Sequence, residues 1–152
     1  MYHYTGCGLP NVWLENGYEE EDTPYGKGVT IHMLPELHKT IAETIVLAKE
    51  PMTGPEFRFL RNELELSQEV LAQFIGCNKQ TVARWEKSKT NVDPAAERLL
   101  RLFYQSARMG DKKLSPLLKL IQKIERERPA AKRIVATERR DNWRGKVEAE
   151  AA

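Results

Sequence analysis

Two short amphipathic segments that meet at Gly76 restrict the fold of this chain more than any other part of its sequence. Ser67 is a favourable N-cap for the first segment, and Gly76 suits its end because a helix terminus often requires a positive φ angle. Helical spacing predicts that the first segment packs inward through Val70, Leu71, Phe74 and Ile75, beside the small Ala72.

The second segment begins with a polar run, Asn78 to Thr81, which precedes the apolar residues Val82 and Trp85. A helix that only filled a core would not expose such a run and then bury its next turn. Two short helices joined by a glycine-containing turn form the helix-turn-helix unit, whose second helix projects its polar N-terminal side into the DNA major groove. The pattern therefore predicts a DNA-reading helix from Asn78 to Lys87.

The polar side of this helix has side chains suited to base recognition. Gln pairs with adenine through two hydrogen bonds, while Arg and Lys pair with guanine, which favours Gln80, Arg84 and Lys79 as reading residues. The amides at the start of the preceding helix suit a phosphate oxygen. The residues predicted to contact DNA are Ser67, Gln68, Asn78, Lys79, Gln80, Thr81, Arg84, Lys87 and Lys89. The alternative is a structural helix-turn-helix with a solvated polar face.

The segment LSQEVLAQFIGCNKQTVARWEKSKT, residues 66–90, resembles the Cro/CI-type (XRE) helix-turn-helix family of transcriptional regulators. The resemblance covers about residues 54–107. Matching features are the LSQ start, Ala72, Gly76, Val82, the pair Trp85-Glu86, Lys87 and Lys89, whereas Cys77 and Ser88 stand where an aliphatic residue and glycine are usual. It implies a sequence-specific regulator, typically a repressor, that binds a palindromic operator in double-stranded DNA as a homodimer.

The resemblance also implies a structural ion pair. In this family the Glu of the Trp-Glu pair meets an Arg on the first helix, and Glu86 and Arg61 occupy the matching positions. We therefore expect these two residues to form a shielded clamp. The alternative is two independent surface charges, which are common and contribute little.

Charge is distributed unevenly along the chain and helps to divide it. Residues 1–53 contain three Lys or Arg against eight Asp or Glu, whereas residues 111–152 contain twelve against seven. The Pro/Gly-containing stretch KEPMTGPE separates the acidic part from the helical part. We predict a mainly α protein: a small acidic α+β domain (1–53), the helix-turn-helix domain (54–110) and a basic helical tail (111–152), with poor order after Pro129.

The basic tail favours sequence-independent attraction to phosphates. The alternatives are that the tail keeps the protein soluble or binds another protein.

Short aromatic and β-branched runs predict the N-terminal elements. MYHYT and NVWLEN are expected to form a hairpin, and VTIHM a third strand, with the acidic YEEEDTPYGKG as a loop between them. A helix beginning near Pro35 is predicted from the apolar stripe Leu37, Ile41, Ile45 and Ala48.

Four helices are predicted after KEPMTGPE. The fourth has Asp93 as its N-cap and Pro94 as its first residue, and nearly its whole circumference is apolar from Leu99 to Tyr104. One reading helix provides too few base contacts to select a single genomic site, so a two-fold dimer is expected. We predict that its interface includes Leu99, Leu102 and Phe103. A second candidate surface is the stripe Leu114, Leu117, Leu118, Ile121 and Ile124. The alternative is that these faces fold back within a monomer.

Several functional classes lack support in the sequence. No Ser/His/Asp, Cys/His or phosphate-loop arrangement predicts catalysis, and no cofactor is expected. Cys7 and Cys77 have no CxxC spacing, and His3 with Cys7 cannot complete a four-ligand zinc site. No apolar run approaches the roughly 20 residues of a membrane span, and the N-terminus lacks a secretion signal, so a cytoplasmic protein is expected.

The order of a small head, a Pro/Gly linker and an XRE helix-turn-helix is similar to that of MqsA-type antitoxins. In that family the head neutralises a toxin while the helix-turn-helix represses the operon. This head lacks the paired cysteines that bind zinc there. The acidic stretch Glu19 to Asp22 would nevertheless suit a small basic toxin, or it is simply a solvated loop.

Overall fold

The structure is a computed structural model that describes residues 1–110 and 132–149. Packing divides the chain into two units, Met1–Gln122 and Lys123–Ala152. The elements of the first unit are β1 (Tyr2–His3), β2 (Trp13–Leu14), β3 (Tyr18–Thr23), β4 (Gly26–Ile31), α1 (Leu34–Leu47), α2 (Gly54–Glu63), α3 (Gln68–Ile75), α4 (Lys79–Glu86) and α5 (Pro94–Arg108). The second unit contains β5 (Lys132–Arg139) and β6 (Asn142–Ala149). The predicted arrangement of a helical region that contains a helix-turn-helix, preceded by a small α+β region, is therefore confirmed.

The N-terminal strands form two antiparallel hairpins. β1 pairs with β2, as predicted, and β3 pairs with β4 in a register that places Tyr18 opposite Ile31. The prediction that the acidic stretch is a loop is wrong, because Glu19 to Asp22 lie within β3. Acidic residues have low strand propensity, but backbone pairing with the β-branched end of β4 overrides that local preference.

Helix α1 is connected to α5 by hydrogen bonds from an arginine side chain of α5. It buries Ile41, Ala42, Ile45 and Val46. The Arg101 guanidinium of α5 donates hydrogen bonds to main-chain carbonyls at and just beyond the end of α1, those of Ile45, Val46, Ala48 and Glu50, at 2.7–3.0 Å. Glu97 holds Arg101 at 2.7 Å. Carbonyls that a helix end leaves without intrahelical donors are thus satisfied by a neighbouring helix.

Side-chain caps fix where the remaining helices begin. Thr53 and Glu56 form a reciprocal capping box at the start of α2. The predicted caps Ser67, Asn78 and Asp93 accept hydrogen bonds from the backbone N–H groups of Val70, Thr81 and Ala96. Gly76 ends α3 with a φ of 95°, the left-handed conformation predicted for it. The helix boundaries therefore follow local signals.

The core lies among α2, α3, α4 and α5. Its fully buried side chains include Phe57, Leu60, Leu71, Val82 and Leu100. The Trp85 ring packs edge-on against Phe57, with the ring centroids 5.6 Å apart. The prediction that Val70 packs inward is wrong, since 41% of Val70 is exposed. Leu71, Ala72 and Phe74 define the inward side of α3, and Val70 lies at its edge.

This core continues across residue 53 into the N-terminal segment. Met52 is buried, and the Tyr4 hydroxyl is hydrogen-bonded to His38 Nε2 at 2.7 Å. His38 in turn packs edge-on against Phe59 of α2. Burial raises the pKa of Tyr4 above its usual value. The head and the helix-turn-helix therefore share one apolar interior.

A close contact also sets the distance between α2 and α4. A Cβ atom on Gly54 would overlap the carbonyl oxygen of Trp85, so only glycine permits the two backbones to approach this closely.

The C-terminal part is a β-hairpin where the sequence predicted a helical tail with poor order. β5 and β6 pair from Lys132↔Ala149 to Arg139↔Asn142, so the prediction is wrong for residues 132–149. Arg140 and Asp141 have φ angles of 51° and 60°, which are typical of a tight two-residue hairpin turn. Pairing between the two strands, which include the β-branched residues Ile134, Val135, Thr137 and Val147, outweighs the scattered charges. The remainder of the predicted tail and the Leu114–Ile124 stripe lie outside the described residues.

A buried ion pair connects α2 to the end of α4. Arg61 Nε donates to Glu86 Oε1 at 2.7 Å, and Arg61 Nη1 donates to the carbonyl of Leu66 at 2.9 Å. Gln68 Nε2 at the start of α3 donates to the second Glu86 oxygen at 2.6 Å. Arg61 and Glu86 are only 9% and 7% exposed. Both carboxylate oxygens therefore have donors, which offsets the cost of burying the charge.

Replacing Glu86 by Ala should lower the free energy of unfolding by about 3–5 kcal/mol, because it leaves the Arg61 charge buried without its partner. Chemical denaturation of the purified variants measures this loss. Glu20→Ala, which removes an exposed carboxylate from β3, is the matched control and should change stability by less than about 1 kcal/mol. Equal unfolding midpoints for the parent and Glu86→Ala would contradict a shielded pair.

Candidate nucleic-acid interface

Helix α4 presents two distinct sides. Val82, Trp85 and Glu86 point inward and are buried. Lys79, Gln80 and Arg84 are exposed on the outer side. An α-helix with its side chains is about 10–12 Å in diameter, and the major groove of B-DNA is about 12 Å wide. The outer side of α4 therefore has the dimensions and side chains of a base-reading surface.

Asn78 and Thr81 shape the start of this helix. Asn78 Oδ1 accepts hydrogen bonds from both the backbone N–H and the hydroxyl of Thr81, each at 2.8 Å. The Asn78 amide still has its N–H donors for an external acceptor. The structure thus places both residues at the N-terminal end of α4, with part of their hydrogen-bonding capacity used for capping.

Gln68 belongs to the buried network as well as to the predicted DNA-binding set. Its amide donates to Glu86, which is the last residue of α4. One further N–H of the same amide remains for a phosphate oxygen. The sequence predicted a phosphate role for Gln68 but not this contact, because no local spacing relates the start of α3 to the end of α4.

The start of α3 is less electropositive than its amides alone would suggest. Ser67 is exposed, and its hydroxyl oxygen already accepts from Val70 N–H at 3.1 Å. Glu69, in the first turn of α3, is also exposed. Its carboxylate opposes a phosphate there, so this end of the surface relies on hydrogen bonds more than on charge.

Positive side chains are exposed where α4 ends. Lys87 and Lys89 flank Ser88, and all three are exposed. Ser88 has a φ of 57°, the left-handed conformation for which glycine is usual at this position of the family. A non-glycine residue there costs about 1–2 kcal/mol, but the turn is retained. With Lys79 and Arg84, the two lysines give the outer side of α4 a cationic surface.

The predicted dimer residues differ in exposure. Leu102 is 46% exposed, whereas Leu99 and Phe103 are half-buried. The Phe103 ring lies 5.0 Å from the Phe74 ring, measured between centroids. Phe103 thus contributes to its own domain, and Leu102 is the most exposed of the three.

Residues 1–110 and 132–149 also bear on two other kinds of site, metal centres and membrane spans. No group of three or more His, Cys, Asp or Glu in these ranges is arranged to hold a metal ion. None of the helices described there is long and apolar enough to cross a membrane.

Comparison with known proteins identifies the segment that contains α3 and α4. Residues 57–102 match the family model described as Helix-turn-helix. No curated protein and no solved structure matches the chain. The match runs from α2 into α5 and includes the Arg61–Glu86 pair and the outer side of α4. Residues 57–102 are therefore similar to helix-turn-helix domains of the XRE type, which are DNA-binding regulator domains.

Proposed function

We propose that this protein is a sequence-specific transcriptional repressor that inserts α4 into the major groove of a palindromic operator as a homodimer. The observation that carries the proposal is the exposed polar side of α4, with Lys79, Gln80 and Arg84, on a helix anchored by buried Val82 and Trp85. A reading helix must be rigidly held on one side and chemically specific on the other, and α4 meets both conditions.

The surface residues divide between reading and positioning. Gln80 and Arg84 have the donors and acceptors needed to discriminate base pairs in the major groove, and Lys79 can pair with guanine. Contacts to phosphates fix register without reading sequence. The residues that we assign to positioning are Ser67, Gln68, Asn78, Thr81, Lys87 and Lys89.

Repression is the simpler regulatory outcome for such a surface. A protein that occupies an operator blocks access to the promoter by its presence alone, whereas activation needs a second surface that contacts the polymerase. Repression therefore requires nothing beyond the interface on α3 and α4.

The proposal of a homodimer rests on the energetic need for more contacts. Each good base contact contributes about 1–3 kcal/mol, and two symmetry-related helices double the number. Leu102 on α5, with the half-buried Leu99 and Phe103 beside it, offers an apolar surface for a second copy.

A second candidate function is an antitoxin whose N-terminal segment neutralises a small basic protein. The observation that favours it is the β3–β4 hairpin, in which Glu19, Glu20, Glu21 and Asp22 are all exposed. A hairpin holds these carboxylates more rigidly than a loop would, so less conformational entropy is lost when a cationic surface binds. Both functions are compatible in one chain.

Substituting Arg84 by Ala should weaken binding to the selected operator by about 1–3 kcal/mol and relax the preference at one base pair. Selection from a random duplex library, followed by affinity measurement, tests this. Arg98→Ala, at an exposed arginine of α5, is the control and should keep the parent consensus. An unchanged affinity and consensus for Arg84→Ala would remove this residue from the reading set.

Substituting Leu102 by Asp should convert a dimer into a monomer, because an ionised carboxylate would be buried without a partner at the interface. Light scattering measures the mass, and footprinting should show parent half-sites about one helical turn apart, or a multiple of it. Leu47→Asp, at a 63% exposed residue of α1, is the control and should remain dimeric. A parent protein that is monomeric and protects one unrepeated half-site would disprove the dimer.

Reversing charge on β3, with Glu20→Lys and Glu21→Lys together, should abolish neutralisation of a toxin encoded by a short adjacent reading frame. Co-expression measures growth rescue, and titration of the purified proteins measures binding. Glu36→Lys with Glu50→Lys makes the same charge change at exposed residues outside the hairpin and should preserve rescue. If the adjacent product neither arrests growth nor binds the chain, the antitoxin function is wrong.

A further inference from the structure

The β5–β6 hairpin has two chemically different faces. Side chains alternate along a strand, and cross-strand partners share a face. One face contains the pairs Arg133↔Glu148, Val135↔Lys146, Thr137↔Arg144 and Arg139↔Asn142. The other face contains the pairs Lys132↔Ala149, Ile134↔Val147, Ala136↔Gly145 and Glu138↔Trp143. The first face is therefore basic, and the second is mainly apolar.

The cations of the basic face differ in whether they already have a partner. Arg133 and Lys146 both pair with Glu148, at 3.1 and 2.7 Å. These hydrogen bonds hold the pKa of the Glu148 carboxyl below its usual value, that from Lys146 contributing more. Within residues 132–149, by contrast, no carboxylate pairs with Arg139 or Arg144. The arginines of this face that have no carboxylate partner within residues 132–149 thus lie at the turn end of the hairpin.

Arg139 and Arg144 contribute to a concave surface at the turn end of the hairpin, which we call the tip. The tip is lined by Arg139, Arg140, Asn142 and Arg144. All of these side chains are hydrogen-bond donors, and no acidic side chain lines the concavity. Asp141, in the turn itself, is exposed and does not line it. Three guanidinium groups in one concavity match an anion with several oxygens, because Arg binds such groups through two parallel hydrogen bonds.

We propose that the tip binds the phosphate backbone of double-stranded DNA, as a second and sequence-independent contact in addition to α4. The proposal rests on the proposed function, since α4 brings the same chain to DNA and thereby raises the effective concentration of the tip near phosphates. A two-stranded antiparallel ribbon is also narrow enough for the major groove. Phosphates are the groups that complement the tip, because the tip presents hydrogen-bond donors and positive charge and no acidic side chain lines it.

The test removes two of the three tip charges from the full chain, with Arg139→Gln and Arg144→Gln together. Binding to a random-sequence duplex is measured across a salt series by fluorescence anisotropy. Loss of two phosphate contacts should reduce the slope of log affinity against log salt by about 2, and weaken binding roughly 10- to 30-fold near 0.15 M salt. The preferred operator sequence should be unchanged, because phosphate contacts do not read bases.

Two further variants test whether a reduced slope comes from a lost local contact, from the change in net charge or from misfolding. Lys132→Gln with Arg133→Gln removes the same charge from the open end of the hairpin and should leave the slope within half a unit of the parent. Arg139→Lys with Arg144→Lys keeps the charge and should retain most of the slope. Equal slopes for the parent and the tip variant, or equal losses in the tip and open-end variants, would overturn the inference while leaving the function of α4 intact. A parent chain that binds no duplex DNA would overturn both.

Discussion

The buried pair between Arg61 and Glu86 is the interaction on which the arrangement of α2, α3 and α4 depends. A carboxylate shielded from water is costly, and here its two oxygens are satisfied from two different helices, by Arg61 of α2 and Gln68 of α3. Arg61 also holds the Leu66 carbonyl in the turn between those helices. Because Glu86 is the last residue of α4, this one carboxylate connects the end of α4 to both α2 and α3, and buried Val82 and Trp85 hold the rest of the helix.

Local signals were sufficient to predict the helices that carry the interface. Ser67, Asn78 and Asp93 are caps whose effect acts within three residues, and Gly76 ends its helix through its own backbone conformation. Such features depend little on distant parts of the chain. The exposure of Lys79, Gln80 and Arg84 followed from helical periodicity once those limits were set.

Predictions were wrong or incomplete where pairing or packing between elements decides the conformation. The acidic residues of β3 and the charged residues of β5 read as non-strand by propensity, and only pairing with β4 and β6 makes them strands. The contact between Gln68 and Glu86 and the approach of Gly54 to Trp85 likewise depend on packing between helices. Neither has a spacing that a sequence pattern could reveal.

The contact of Arg101 with the end of α1 shows which features of the head are constrained. Its acceptors are main-chain carbonyls, which every residue type provides. Side chains along the last turn of α1 can therefore vary without loss of this contact, provided that the inward face stays apolar. Inserting or deleting a residue there would instead displace the carbonyls from a fixed guanidinium. The last turn of α1 is thus tolerant of substitution on its exposed side and intolerant of insertions and deletions.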